Sequence, residues 1–246
     1  MESYFLTDTG KVREHNEDSV TILKNKKKEY LLAVADGMGG HKAGEVASSM
    51  AINHLTESFN KLDSMGDKKT CVEWIRTNVN DINDEIFEYT KNHPESKGMG
   101  STLVMAIYTK DYLLFANIGD SSGFVIKKDE LFKITKDHTL VNMLVNNGEL
   151  TESQAQNHPK KNILMRALGA NNPIEVDIFS VEEEVSGIVL SSDGLTSMLT
   201  KTQIERVLAN KELSLSEKVI RLIRKSNIRG GLDNISIACL MMGSDK

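Results

Sequence analysis

Residues 102–135 read TLVMAIYTKDYLLFANIGDSSGFVIKKDELFKIT. Four short apolar runs lie within this stretch, at 102–108, 112–118, 123–126 and 131–135, separated by polar turns of a few residues. Runs of this length and composition predict strands. Turns this short predict antiparallel neighbours, because a parallel pair needs a long crossover. Working upstream, 19–23 and 30–35 flank a Lys-rich tip at 24–28 and predict a hairpin. Two helical patterns separate that hairpin from the β-rich middle. The first carries Val46, Ala47, Met50, Ala51, Leu55 and Phe59 on a broad apolar stripe. In the second, Ile75, Val79, Ile82, Ile86 and Tyr89 recur at helical spacing, punctuated by Pro94 and Gly98. Downstream, the polar segment 137–161 predicts short helical pieces. Strands are expected at 174–181, 187–191 and 233–242, and helices at 197–210 and 214–227. Antiparallel strands with helices in pairs predict an α+β layered sandwich, not a doubly wound parallel sheet. No internal repeat or Pro/Ser-rich linker divides the chain, so residues 1–246 are expected to form a single domain.

Composition narrows the function. Of 246 residues, 39% are hydrophobic and 26% charged, which is ordinary for a globular protein. Thirty Lys and Arg against 35 Asp and Glu give a net charge of −5. That balance argues against nucleic acid, whose binding rests on cationic side chains neutralising phosphates. The two cysteines, Cys71 and Cys239, form no CxxC and no disulfide framework, which points to a reducing compartment. The N-terminus lacks the apolar core of a signal peptide. The longest uncharged stretch, 12 residues at 98–109, is too short to span a bilayer. A cytoplasmic protein without a membrane partner is the expectation.

Several common chemistries lack their residues. The segment DGMGGHKAG has Lys42 where a dinucleotide-binding loop needs Gly, and no GK[ST] occurs. No pair of histidines or cysteines has zinc spacing. Gly119-Asp120-Ser121-Ser122-Gly123 satisfies GxSxG, but that serine-hydrolase elbow needs a following helix, whereas residues 124–132 predict another hairpin. The last histidine, His158, also precedes Asp193, against the usual order of serine, acid and histidine.

The informative feature is a recurrence of aspartates at the ends of apolar runs: Asp36 after Leu31–Ala35, Asp120 after Leu113–Gly119, Asp193 after Ile188–Ser192, and Asp233 just before Ile235–Ala238. Any one of them taken singly reads as a turn residue. Together they would collect negative charge at one sheet edge, and such a cluster repels itself unless protonated or bound to cations. Oxygen-only ligands suit hard ions, Mg²⁺ or Mn²⁺. Gly37, lacking a Cβ, would let its carbonyl approach such an ion. Upstream, Arg13 lies near Glu17 and Asp18. It can pair with an acid at the surface or point into the cluster and bind an anion in fork geometry.

These segments, in order, resemble the metal-dependent type 2C serine/threonine protein phosphatases, most closely the compact bacterial branch. The resemblance is carried by Arg13-x-x-Asn16-Glu17-Asp18, the run from Val34 to Ser48 with Asp36-Gly37-Met38-Gly39-Gly40, Gly100-Ser101-Thr102, Gly119-Asp120-Ser121, Arg166-Ala167-Leu168-Gly169, Leu190-Ser191-Ser192-Asp193-Gly194-Leu195 and Asp233-Asn234-Ile235-Ser236. It implies a four-layer αββα sandwich of two mainly antiparallel sheets flanked by helix pairs. It also implies two Mg²⁺ or Mn²⁺ ions with a third, looser one. By that resemblance Asp36, Gly37, Asp193 and Asp233 hold the pair, and Asp120 with Asp193 the third. Glu17, Asp18 and Asn234 lie behind the ligands. Arg13, Asp36, Asp193 and Asp233 are the catalytic set, Arg13 binding the substrate phosphate, and a variable flap covers 142–161. The implied reaction is hydrolysis of phosphoserine and phosphothreonine in proteins by a monomer. Its implied partners are the substrates of a Ser/Thr kinase and the kinase itself. Ser122 and Leu232 replace arginines common in the family, and Met38 replaces a histidine proposed as general acid elsewhere in it. His41 then reads either as a proton-transfer group or as a residue at a helix start. A catalytically silent relative that only binds a partner would be marked by lost metal acids, and Asp36, Asp193 and Asp233 are all present.

Overall fold

The computed structural model describes residues 1–40, 43–156 and 158–243. Two antiparallel sheets stack face to face. One has the order β1 (Glu2–Asp8), β11 (Ile235–Met241), β10 (Gly187–Ser191), β7 (Ser122–Lys127), β8 (Glu130–Lys133). The other runs β2 (Asp18–Lys24), β3 (Tyr30–Met38), β5 (Leu103–Tyr108), β6 (Leu113–Ile118), β9 (Asp177–Val181), with the short β4 (Gly100–Ser101) paired to the end of β3.

Strand β3 shows why the sheets stack. Residues 30–35 are all buried, so this central strand has no solvent face. Leu31, Ala33 and Ala35 point outward, into a core built with α1 (Ala43–Asn60) and α2 (Lys68–Asn92). Tyr30, Leu32 and Val34 point inward, into a core shared with Val125, Ile188, Leu190 and Leu240 of the opposite sheet. A third core lies between that opposite sheet and α5 (Asp193–Thr196), α6 (Lys201–Leu208) and α7 (Leu215–Ile228). Three cores between four layers give the expected αββα sandwich.

Local signals set the helix ends. Asp67 caps α2 by accepting from the Thr70 amide at 2.7 Å. Ser214 and Glu217 form a reciprocal capping box at α7, where the Glu217 carboxylate accepts from the Ser214 amide at 2.8 Å.

The structure corrects three local expectations. Strands β6 and β7, joined by three residues, are not hydrogen-bonded neighbours: β6 belongs to one sheet and β7 to the other. Gly119, at φ +97°, turns the chain from one sheet into the other, and a Cβ there would lie 2.6 Å from Thr102 Cγ2. The helix predicted over 197–210 begins later, as α6 (Lys201–Leu208), and a separate single turn of helix, α5 (Asp193–Thr196), precedes it. Finally, β1 was not expected. Its half-exposed, alternating residues form an edge strand that pairs with β11 at the other end of the chain and packs Tyr4 and Leu6 against the core beneath α7. The polar 137–161 segment does supply two short helices, α3 (Leu140–Asn146) and α4 (Glu152–Gln156).

Candidate active site

The sheet edges open into a cleft of about 420 Å³ whose walls include Arg13, Asp36, Asp120, Arg166, Asp193 and Asp233. Each aspartate arrives from a different strand end. Asp36 lies on β3, Asp120 in the crossover from β6 to β7, Asp193 at the start of α5 just past β10, and Asp233 just before β11. Stacking the two sheets brings these four ends together, although they span almost the whole sequence.

Asp36 is held by its backbone. Its amide donates to Thr102 Oγ1 at 3.0 Å, and its carbonyl accepts from the Thr102 amide at 2.8 Å. Directly opposite, in the β2–β3 register, is Asp18. Like charges facing each other across strands are destabilising, and here Asp18 is buried and Asp36 half-buried. Asp18 Oδ2 accepts from Ser192 Oγ at 2.7 Å, whereas its Oδ1 is buried without a partner among the described residues, as is Asp193 Oδ1. Burial first, and the neighbouring acids second, push Asp18 and Asp193 up to about 7. The same causes hold Asp36 well above the usual carboxylate range. Asp120 rises to about 6, through burial and then the charge of Asp137.

The N-terminal loop completes the wall. Arg13 Nη2 donates to Asp233 Oδ2 at 2.8 Å, and the guanidinium remains half exposed at the mouth. Asp233 Oδ1 accepts the Asn234 amide at 2.9 Å. The Asn234 side chain clamps the loop on three sides: its Oδ1 accepts from the Glu17 amide at 2.8 Å, and its Nδ2 donates to the carbonyls of Thr9 and His15. The Glu17 carbonyl in turn accepts from the Gly37 amide at 3.0 Å. Burial raises the Glu17 carboxyl above its ordinary value.

Two expectations gain physical detail. A Cβ on Gly37 would lie 2.0 Å from the Gly44 carbonyl oxygen, so glycine is required there by close packing against the start of α1. Ser121 of the GxSxG match is fully buried, shares a 2.8 Å hydrogen bond with Thr102, and is followed by a strand. A nucleophile elbow is therefore excluded. His41 lies outside the described residues.

Ser192 and Thr102 were legible as parts of motifs, but not their hydrogen bonds to Asp18 and Asp36. Asp137 and His138 lie in the segment read as polar helix. Arg166 was legible as part of a motif, but not its place in the cleft wall.

The side-chain set is all oxygen, two carboxylate oxygens are buried without partners among the described residues, and the acids raise one another's pKa. These are features of a site that fits hard divalent cations. Among the described residues no three acidic, His or Cys side chains already close into a cage.

A family model described as protein phosphatase 2C matches residues 10–227. The chain belongs to the protein phosphatase 2C family. Among relatives of this phosphatase chain, a serine/threonine phosphatase stp of Listeria welshimeri is 41% identical over 238 residues, covering 96% of this chain and 94% of that one. The protein phosphatase PhpP of Streptococcus pneumoniae is 34% identical, covering 100% and 99%. The solved S. agalactiae serine/threonine phosphatase superposes with a TM-score of 0.92 at 37% identity, covering 98% and 99%. Among the described residues, no helix is long and apolar enough to cross a membrane.

Proposed function

We propose that this chain hydrolyses phosphoserine and phosphothreonine in proteins, with Mn²⁺ or Mg²⁺ held by Asp36, the Gly37 carbonyl, Asp193 and Asp233, and a further ion by Asp120 with Asp193. The protein serine/threonine phosphatase activity follows from family membership. The convergence of four strand-end aspartates and Arg13 on one cleft carries the assignment of residues. Divalent cations at these carboxylates would supply Lewis acidity toward water and the phosphoryl oxygens.

The chain's own groups do the remaining work. Arg13 presents its guanidinium at the mouth, where a phosphoryl group can be clamped and oriented. Asp233 holds that guanidinium in place, and Asn234 fixes the loop that carries it. Asp18, anchored by Ser192, sets the negative potential behind Asp36. Glu17 faces the cleft with a carboxyl suited to holding water.

The whole chain acts as one catalytic domain, a cytoplasmic monomer opposing a Ser/Thr protein kinase, with that kinase and its substrates as partners and the 142–161 flap beside the cleft. The test is hydrolysis of a phosphothreonine peptide with Mn²⁺, with EDTA, and by Asp36→Asn. Turnover should need the metal and fall at least about 100-fold in the variant, the scale expected when a main electrostatic contact to the transition state is removed. Turnover that survives EDTA would overturn the metal assignment.

A further inference from the structure

His138 joins two walls of the cleft. It follows β8, at the start of the segment that leads into α3. Its Nδ1 accepts the Gly119 amide proton at 3.1 Å, and its own main-chain amide donates to the Gly119 carbonyl at 2.9 Å. Asn117 Nδ2 donates to the same carbonyl at 3.1 Å. Both peptide groups flanking Gly119 are thus pinned, at a turn with no room for a Cβ. The next residue is Asp120.

The other face of the ring looks toward the flap side. Because Nδ1 accepts, the ring proton sits on Nε2, which donates to Asp177 Oδ2 at 3.1 Å. Asp177 Oδ1 accepts from Arg166 Nη1 at 2.8 Å, and Arg166 lines the cleft. The His138 carbonyl also accepts from the Met165 amide at 2.8 Å. One imidazole therefore ties the turn before Asp120 to Asp177 on β9, and through Asp177 to Arg166.

We propose that His138 is a positioning residue. Through Gly119 it sets the carboxylate of Asp120, and through Asp177 it sets the guanidinium of Arg166, so that cation binding and substrate binding are aligned by one side chain. This rests on Asp120 being a cation ligand, as proposed above. A neutral imidazole offers an acceptor on one nitrogen and a donor on the other, and no other side chain offers both at these positions. Asparagine can replace only the Nδ1 acceptor, and glutamine only the Nε2 donor.

That division supplies the test. Mn²⁺ binding is followed by titration calorimetry, and phosphopeptide KM and kcat are measured, for wild type, Asp120→Asn, His138→Asn, His138→Gln and Asp120→Asn/His138→Gln. Outer partners of metal ligands typically contribute 10- to 100-fold in affinity. His138→Gln should therefore weaken the same Mn²⁺ step as Asp120→Asn by about 10-fold or more, and the double variant should bind no worse than Asp120→Asn alone. His138→Asn should keep the wild-type isotherm and raise KM severalfold, as should Asp177→Asn. A wild-type isotherm for His138→Gln, where Asp120→Asn has lost a step, overturns the proposal and leaves the Asp120 assignment standing. Loss of no step in Asp120→Asn overturns both. If His138→Gln does not fold, the two asparagine variants decide: an altered isotherm or an unchanged KM in them contradicts the proposal.

Discussion

Replacing Asp18 with asparagine should stabilise the metal-free protein while reducing what metal adds. Asp18 is 7% exposed, faces Asp36 across the β2–β3 ladder, and has one carboxylate oxygen without a partner. Its carboxyl is pushed from 3.8 to about 7. A carboxyl whose folded pKa lies above its unfolded value binds its proton more tightly in the folded state. It therefore costs nothing well below pH 4 and costs progressively more as pH climbs through about 7. A rise of about 3 units at about 1.4 kcal/mol each sets a ceiling of about 4 kcal/mol. The repulsion is shared with Asp36 and Asp193, so about 2 kcal/mol is the expected gain for one substitution. In a domain of this size that corresponds to a Tm rise of about 4–8 °C. Asparagine keeps an oxygen for Ser192, and its amide replaces a buried charged oxygen that has no partner among the described residues. The assay is thermal unfolding in EDTA at about pH 8 and about pH 5. The gain should appear at the higher pH and shrink by more than half at the lower. Mn²⁺ should then raise the Tm of the variant by less than that of wild type. A variant that melts lower than wild type in EDTA at pH 8, or that shifts equally at both pH values, would refute the charge-cluster reasoning.

Arg13→Ala should lower kcat/KM by about 10- to 100-fold, the equivalent of one charge-assisted contact of about 1.5–3 kcal/mol; phosphopeptide kinetics with saturating Mn²⁺ measures it. Gly37→Ala should destabilise the fold by about 3 kcal/mol or more, because its Cβ meets the Gly44 backbone and cannot be absorbed by a flexible side chain; denaturant melts would show this, and a wild-type midpoint would contradict the close-packing argument. Ser121→Ala should keep activity within a few-fold and cost about 1–2 kcal/mol through the lost bond to Thr102; abolished turnover in a stably folded variant would reopen a nucleophilic serine.

Most elements were legible because their periodicities are strong. The steps of Ile75, Val79, Ile82, Ile86 and Tyr89 fit a helix, and the short turns at 109–112 and 128–129 join antiparallel strands. The same logic failed at Gly119. A three-residue connection normally makes a hairpin, and only the clamp on Gly119 by Asn117 and His138 reveals a crossover between sheets. The edge strand β1 was hidden for a related reason: its partner, β11, lies more than 220 residues away.

Sequence by itself determined the inventory of the candidate site: which acids end apolar strands, and that Arg13 precedes them. These follow from local order along the chain. Only tertiary structure decided their arrangement. The pairing of Asp18 with Asp36, the hold of Ser192 on Asp18, the Asn234 clamp on the N-terminal loop and the link from Gly119 through His138 and Asp177 to Arg166 all join residues distant in sequence. Buried charge and hydrogen bonding depend on distances that exist only once two sheets have closed on each other, and no spacing along the chain encodes them.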